Sequence, residues 1–203
     1  KLSAWDARTG TPAWTYVAGD DEIKSSPLVH RGTVYFGDEG GRLHAVDAAT
    51  GERRWVYETE AGVTSSPNLA GDCVLAGSYD NHLYCVDPAK GTLRWKLETG
   101  SYVHGTPAIS GNRAVVAGCD GLLRTVDLAT GKETSAVPLG GYSAASPALA
   151  GGVAYVGTFE NQVLAVDVSK GEVVWRFEDP DRQFPFYASA AVAGDRVIVA
   201  GRD

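Results

Sequence analysis

Apolar residues along this chain come in short runs broken by turn residues, and the order of the runs repeats. Between Ser65 and Thr99 the stretch Ser66-Pro67-Asn68-Leu69-Ala70 ends at Gly71-Asp72, and Cys73-Val74-Leu75-Ala76-Gly77 follows. Ser78-Tyr79-Asp80-Asn81-His82 separates it from Leu83-Tyr84-Cys85-Val86-Asp87. After Pro88-Ala89-Lys90-Gly91, the run Leu93-Arg94-Trp95-Lys96-Leu97 alternates apolar and charged positions. Four short strands joined by turns predict one antiparallel meander. Its alternating fourth strand should be the outer, half-exposed one, and its apolar first two strands should lie innermost.

This order returns along the whole chain. Asp6, Asp47, Asp87, Asp127 and Asp167 stand 41, 40, 40 and 40 residues apart. Each is followed four residues later by Gly10, Gly51, Gly91, Gly131 or Gly171, and four further on by Trp14, Trp55, Trp95, Ser135 or Trp175. Ser26-Pro27, Ser66-Pro67, Thr106-Pro107 and Ser146-Pro147 keep the same beat, with Ser189-Ala190 as a degenerate fifth. Repeats of this length built from strand signals indicate propeller blades. The fold is therefore read as all-β, a β-propeller of four-stranded antiparallel blades, with residues 1–203 forming one domain or a portion of one.

The recurring residues have turn chemistry. The Asp can accept N–H bonds within its turn, the Gly can adopt the left-handed conformation, and the Trp brings a large apolar surface with one N–H donor. A Trp at a fixed place in each blade is expected to staple that blade to the next. The five aspartates are accordingly read as structural, not catalytic. The second hairpin of each repeat centres on Gly40-Gly41, Asp80-Asn81, Asp120-Gly121 or Glu160-Asn161. Read as two-residue primed turns, they would need positive φ at both positions, which Glu160 suits worst. The chain opens in the outer strand pair of one repeat and closes, from Ala190 to Asp203, in an inner pair. Its terminal halves are thus expected to be complementary. They would close a five-bladed ring if the chain is complete, or belong to a seven- or eight-bladed ring if it is an excerpt.

The stretch Leu43-His44-Ala45-Val46-Asp47-Ala48-Ala49-Thr50-Gly51-Glu52-Arg53-Arg54-Trp55 resembles the repeat of quinoprotein-type propellers, the PQQ-like repeats. Motif and spacing recur together across essentially the whole chain. The family includes quinone-dependent alcohol dehydrogenases, a bacterial outer-membrane assembly lipoprotein and sensor domains attached to kinases. The resemblance implies a periplasmic or extracytoplasmic setting, with the cytoplasm left open, and a kinase or other effector domain as a fusion partner. The dehydrogenases carry adjacent cysteines over their cofactor. None of this chain's cysteines are adjacent, so the resemblance supports the repeat without implying bound quinone, and no cofactor is expected.

Charge and composition narrow the functions. The 203 residues carry a net charge of −7 with only 18 Lys and Arg, which speaks against a nucleic-acid footprint. No apolar run approaches the roughly 18 residues of a membrane-spanning helix, so no membrane insertion is expected. Cys73, Cys85 and Cys119 are read as three buried small hydrophobes, with a cross-strand disulfide between Cys73 and Cys85 as the alternative. His30, His44, His82 and His104 show no ligand spacing, so they are read as solvated or turn histidines and no metal site is expected.

The loops that join one repeat to the next lie on the same face as the second hairpins. That face would carry Lys24, Tyr79, His82, Tyr102, His104, Tyr142, Phe159, Phe184, Phe186 and Tyr187. Variable aromatic and acidic loops opposite structural turns suggest a recognition rim for a protein or peptide partner, although unconstrained loops would give the same pattern. The reading is a non-catalytic interaction or sensor module; a quinone-dependent dehydrogenase fragment and a carbohydrate-binding propeller are the alternatives.

Overall fold

A computed structural model of the chain describes residues 1–181 and 183–201. Twenty strands and no helix occur among them. The chain starts with β1 (Leu2–Trp5) and β2 (Pro12–Tyr16), an outer pair. Four complete meanders follow. The first blade is β3 (Leu28–His30), β4 (Thr33–Gly37), β5 (Arg42–Asp47) and β6 (Arg53–Glu58), and the second is β7 (Asn68–Ala70), β8 (Cys73–Gly77), β9 (His82–Val86) and β10 (Leu93–Glu98). The third is β11 (Ala108–Ser110), β12 (Arg113–Ala117), β13 (Leu122–Asp127) and β14 (Glu133–Pro138). The fourth is β15 (Ala148–Ala150), β16 (Val153–Gly157), β17 (Gln162–Asp167) and β18 (Glu172–Glu178). An inner pair, β19 (Ala191–Ala193) and β20 (Arg196–Ile198), ends it.

Innermost strands of successive blades face one another, β11 against β15 and β15 against β19. The second and third strands supply most of the buried residues, while β18 is exposed along its whole length. Apolar side chains fill the seams between blades. The core around Tyr35, Trp55 and Val63, for example, continues into Val74, Tyr84 and Val86 of the next blade.

Three of the seams are built around an indole. The Trp14 N–H donates to Ala48 O at 3.0 Å, Trp55 to Pro88 O at 3.0 Å and Trp95 to Leu128 O at 2.9 Å. In every case the acceptor follows the repeating Asp of the next repeat. The indole lies directly over that repeat's glycine: a Cβ on Gly51 would fall 2.7 Å from Trp14, and one on Gly91 2.6 Å from Trp55. Glycine is thus required twice over, by a φ of 74° at Gly51 and 68° at Gly91 and by the ring above it. Over Gly171 the ring is replaced by the Ser135 side chain.

The Asp organises the turn beneath. Asp47 Oδ1 accepts from the N–H groups of Ala49 and Thr50, at 2.8 and 3.0 Å. Asp87 does the same with Ala89 and Lys90, both at 2.9 Å. The Arg54 guanidinium, aided by those N–H groups, holds the Asp47 carboxyl down at about 2. Arg54 and Arg94 reach Asp47 and Asp87 because each occupies a bulge. In β6 and β10 the residue before the Trp is skipped by the ladder, which turns the indole toward the next blade.

Three sequence expectations need correction. The second hairpins are not primed two-residue turns: φ is positive only at Gly41, Asn81, Gly121 and Asn161. Gly41 N donates to Asp38 O and Asp38 N to Arg42 O, so the loop is a type I turn closed by one left-handed residue. Glu160 sits at an ordinary negative-φ position and fits well. Cys73 and Cys85 are disulfide-bonded, with Cα atoms 5.3 Å apart, and only Cys119 is free. The facing arms of β8 and β9 bring two of the small core residues within bonding range.

The composite blade that would close a five-membered ring is not formed either. The β1–β2 and β19–β20 pairs are separate two-stranded sheets. The Arg202-Asp203 part of the expected junction lies outside the described residues. At the C-terminal end Trp175 is 41% exposed, and an apolar cleft of about 230 Å³ lies between Trp175, Phe177, Phe186 and Val197. At the other end, the Gly10 seat has no atom within 4 Å of its Cβ position.

Replacing Trp95 with Ala should cost about 3 to 5 kcal/mol in urea unfolding, whereas Ser135→Ala should cost far less. Gly91→Ala should destabilise more than Gly71→Ala, which shares a positive φ but has open space around it. Equal losses for the two glycines would show that the indole places no demand on the turn.

Candidate binding face

The links between blades and the second hairpins meet at one face of the arc through a repeated backbone bond. Tyr79 N donates to Gly62 O, Cys119 N to Tyr102 O and Phe159 N to Tyr142 O. This bond sets a side chain of each hairpin beside one of the preceding link. The hairpin side chain also meets the link that enters the next blade.

Two clusters of rings result. Tyr79 stacks on Tyr102 with centroids 4.9 Å apart and on His104 at 5.8 Å. The Tyr79 hydroxyl lies 2.9 Å from His104 Nδ1, and the Thr64 hydroxyl lies 3.3 Å from the same nitrogen. Farther along, Tyr142 stacks on Phe159 at 4.5 Å, and Phe159 on Tyr187 at 5.7 Å. Tyr102, Tyr142 and Tyr187 remain exposed, and Tyr79, His104 and Phe159 are half-buried beneath them.

The other rim candidates have different places. Lys24, in register with Thr64, His104 and Tyr187, extends into solvent and pairs with Glu39 and Glu22 at 2.5 and 3.7 Å. His82 is tied to its own turn by a 2.9 Å bond to Asp80 O, and Phe184 is exposed. Phe186 is not a rim residue. Its N–H donates to Thr158 O, its backbone and Cβ crowd Gly157, and its ring meets Phe177 at 6.3 Å. It is the counterpart of Val63 and Val103, which sit over Gly37 and Gly77 in the earlier seams. The longer link before the last repeat shifted the register from which it was assigned to the rim.

Beneath the face lie polar clusters that the sequence reading missed. Asp38, with no exposed surface, accepts from Arg42 Nε at 2.8 Å, and the His44 Nε2–H donates to the same carboxylate at 2.8 Å. Tyr16 hydroxyl lies 3.2 Å from His44 Nδ1, and Phe36 stacks on the imidazole at 4.8 Å. His44 is therefore a buried core residue and not a solvated one. Burial lowers its pKa, against the opposing pull of Asp38. One repeat on, Tyr84 donates to Asp80 at 2.7 Å, and burial raises the phenol's pKa.

In the next repeat, buried Arg124 meets Asp120 at 2.6 Å. Its Nε lies 2.8 Å from Glu133, off the N–H line, so that contact is an ion pair and not a hydrogen bond. The signal was a single column of the repeat: His44, Tyr84 and Arg124 stand where Leu164 keeps an aliphatic residue.

The clusters consume the titratable groups they contain. His44 and its carboxylate are sealed from any substrate, and no group of three His, Cys, Asp or Glu is placed to hold a metal among the described residues. What the face offers to a ligand is ring surface and hydroxyl groups.

Burial also depresses the His104 pKa. With folded values of both histidines below the ordinary unfolded value, the unfolded chain takes up protons first as pH falls below about 6.5. Stability from these residues is present above that pH and is lost as pH drops through it. Urea midpoints should therefore fall between pH 7.5 and 5.5, and a His44→Gln/His104→Gln variant should lose less over that interval. An unchanged pH dependence in the double variant would contradict the assignment.

The family described as outer membrane protein assembly factor BamB matches the chain over residues 1–104 and 80–203. Quinohemoprotein alcohol dehydrogenase ADH-IIG of Pseudomonas putida is 37% identical over 78 residues, 34% of this chain and 11% of its own length. Serine/threonine-protein kinase AfsK of Streptomyces griseus is 34% identical over 59 residues, 28% of this chain and 7% of the kinase. Among solved structures, BamB from Moraxella catarrhalis gives a TM-score of 0.79 at 21% identity, covering 93% of this chain and 61% of that one. The computationally designed Ika8 protein gives 0.87 at 17% identity, covering 98% and 61%. At these identities the likeness to the two structures establishes the fold. The chain spans only a small part of the curated relatives it matches.

Proposed function

We propose that this chain, which belongs to the PQQ-like repeat family described as outer membrane protein assembly factor BamB, is a non-catalytic propeller module that binds a protein or peptide partner at its loop face. The observation that carries the reading is the pair of stacked-ring clusters, whose tyrosines Tyr102, Tyr142 and Tyr187 remain exposed. Aromatic rings that are already ordered give up little entropy on binding, which suits them to anchor a partner. The opposite face, built from the Asp-Gly turns and the first hairpins, has clefts of about 260, 590 and 370 Å³ between blades but no stacked rings among the described residues.

The module belongs to a larger protein or assembly, in a periplasmic or otherwise extracytoplasmic setting. Likeness to an assembly factor and, in part, to a kinase supports both points. Residues 1–203 act as one PQQ-like propeller domain or a portion of one, with complementary terminal halves, a reading supported by the exposed Trp175 and the uncovered Gly10 turn. A quinone-dependent dehydrogenase fragment is the second reading, favoured by the 37% identity to ADH-IIG over 78 residues. Carbohydrate binding by the same tyrosines is the third.

A variant with Lys24, Tyr102 and His104 changed to Ala should lose at least about tenfold in affinity for a cross-linked or co-purified protein partner, the usual effect of removing an interface anchor. Its melting temperature should be little changed. Wild-type affinity would overturn the placement. A thermal shift with pyrroloquinoline quinone and calcium would favour the second reading, and hits on a glycan array the third.

A further inference from the structure

The two ring clusters are parts of one row with a gap. The repeated backbone bond that sets Phe159 beside Tyr142 sets Cys119 beside Tyr102. The relation that carries the Tyr79 ring onto Tyr102 of the next link would carry the side chain at position 119 onto Tyr142. In sequence order the row is therefore Tyr79, Tyr102, Cys119, Tyr142, Phe159 and Tyr187. Rings occupy every place except position 119. Rings stack on both sides of Cys119, and no ring contact spans it among the described residues.

The two rings next to the gap are the most exposed of the row, Tyr102 at 50% and Tyr142 at 46%. Tyr79 and Phe159, one place farther from it, are half-buried under their neighbours. The Cys119 thiol is half-buried, and its hydrogen-bond partner among the described residues is the Ser143 carbonyl, at 3.9 Å. A thiol is much smaller than a ring, so the faces that a Tyr or Phe at position 119 would cover are left open.

We propose that this gap is a slot for one aromatic side chain of a peptide partner, which would intercalate between Tyr102 and Tyr142 above Cys119 and complete the row. The proposal rests on the binding role argued above and names the anchor that the partner must carry. Its gain is offset stacking on two faces that are already ordered. Charge selects the class of flat ligand. Glu160 stands exposed against Gly141 beside Tyr142, and the nearby Arg124 is committed to Asp120 and Glu133. Arg176 lies one residue back, against Gly140, so the charge set beside Tyr142 itself is the Glu160 carboxylate, which disfavours a flat polyanion and attracts an aromatic residue flanked by Lys or Arg.

The test uses short acetylated, amidated peptides with one central Phe, Tyr, Trp, Leu or Ala, flanked by either lysines or glutamates. Binding to the whole chain is read by fluorescence polarisation, together with protection of Cys119 from maleimide. Aromatic peptides should bind at least tenfold tighter than the Leu and Ala peptides, the lysine-flanked ones tightest, and only aromatic peptides should slow Cys119 labelling. Cys119→Tyr should fill the slot and abolish this preference with melting preserved, while Cys119→Ala should retain it.

Equal binding of Leu and Phe peptides, or unaltered Phe-peptide binding by Cys119→Tyr, would overturn the slot. So would tighter binding of a nucleotide, a flat polyanion, than of any peptide. Loss of slot behaviour alongside intact, Tyr102-dependent capture of a protein partner would refute the slot alone. Failure of both assays would refute the binding role as well.

Discussion

The contact on which this architecture depends is an indole laid over a glycine. The N–H groups of Trp14, Trp55 and Trp95 each find the carbonyl that follows the Asp of the next repeat, and each ring covers the glycine that closes the same turn. The contact is satisfied only when the next repeat has the Asp, the left-handed Gly and the bulge that aims the ring in the right places. A blade of four short strands buries too little by itself, so its neighbours supply the rest of its core. The seam makes the repeat, and not the single blade, the unit of stability.

From the seam follows the loop face. Links and hairpins meet through the same backbone bond at each junction, so residues about twenty positions apart become ring neighbours. Where the seams vary, the chain is locally different. Ser135 leaves one turn without its ring, and Trp175 projects from an end with no turn to cover. Polar pairs such as Asp38–His44 and Asp120–Arg124 fill the inner seams without disturbing this geometry, because each charge is matched within its own repeat.

The fold could be read from the sequence because its determinants are local and repeated. The period, the Asp-Gly turns and the seam position of Trp55 and Trp95 need only spacing and residue chemistry. What could not be read depends on register between segments. Arg54 and Arg94 look like ordinary outer-strand charges until the bulge shows why they reach the turn carboxylates. His44 looks like a polar strand residue until Asp38 and Tyr16 close around it. At the loop face, composition alone marked Tyr79, Tyr102, Tyr142, Phe159 and Tyr187, but their order in a row appears only through the cross-repeat bonds. Phe186 was misplaced because the longer last link hides its equivalence to Val63 and Val103.

Hydrogen exchange of the indole N–H groups, followed by NMR in the intact chain, tests the seam most directly. Trp14, Trp55 and Trp95 should exchange slowly, because each proton is held by a carbonyl of the next repeat. Trp175 and Trp5, at the open ends, should exchange fast. If Trp55 and Trp95 exchanged as rapidly as Trp175, the indole contact would not be what holds the blades together.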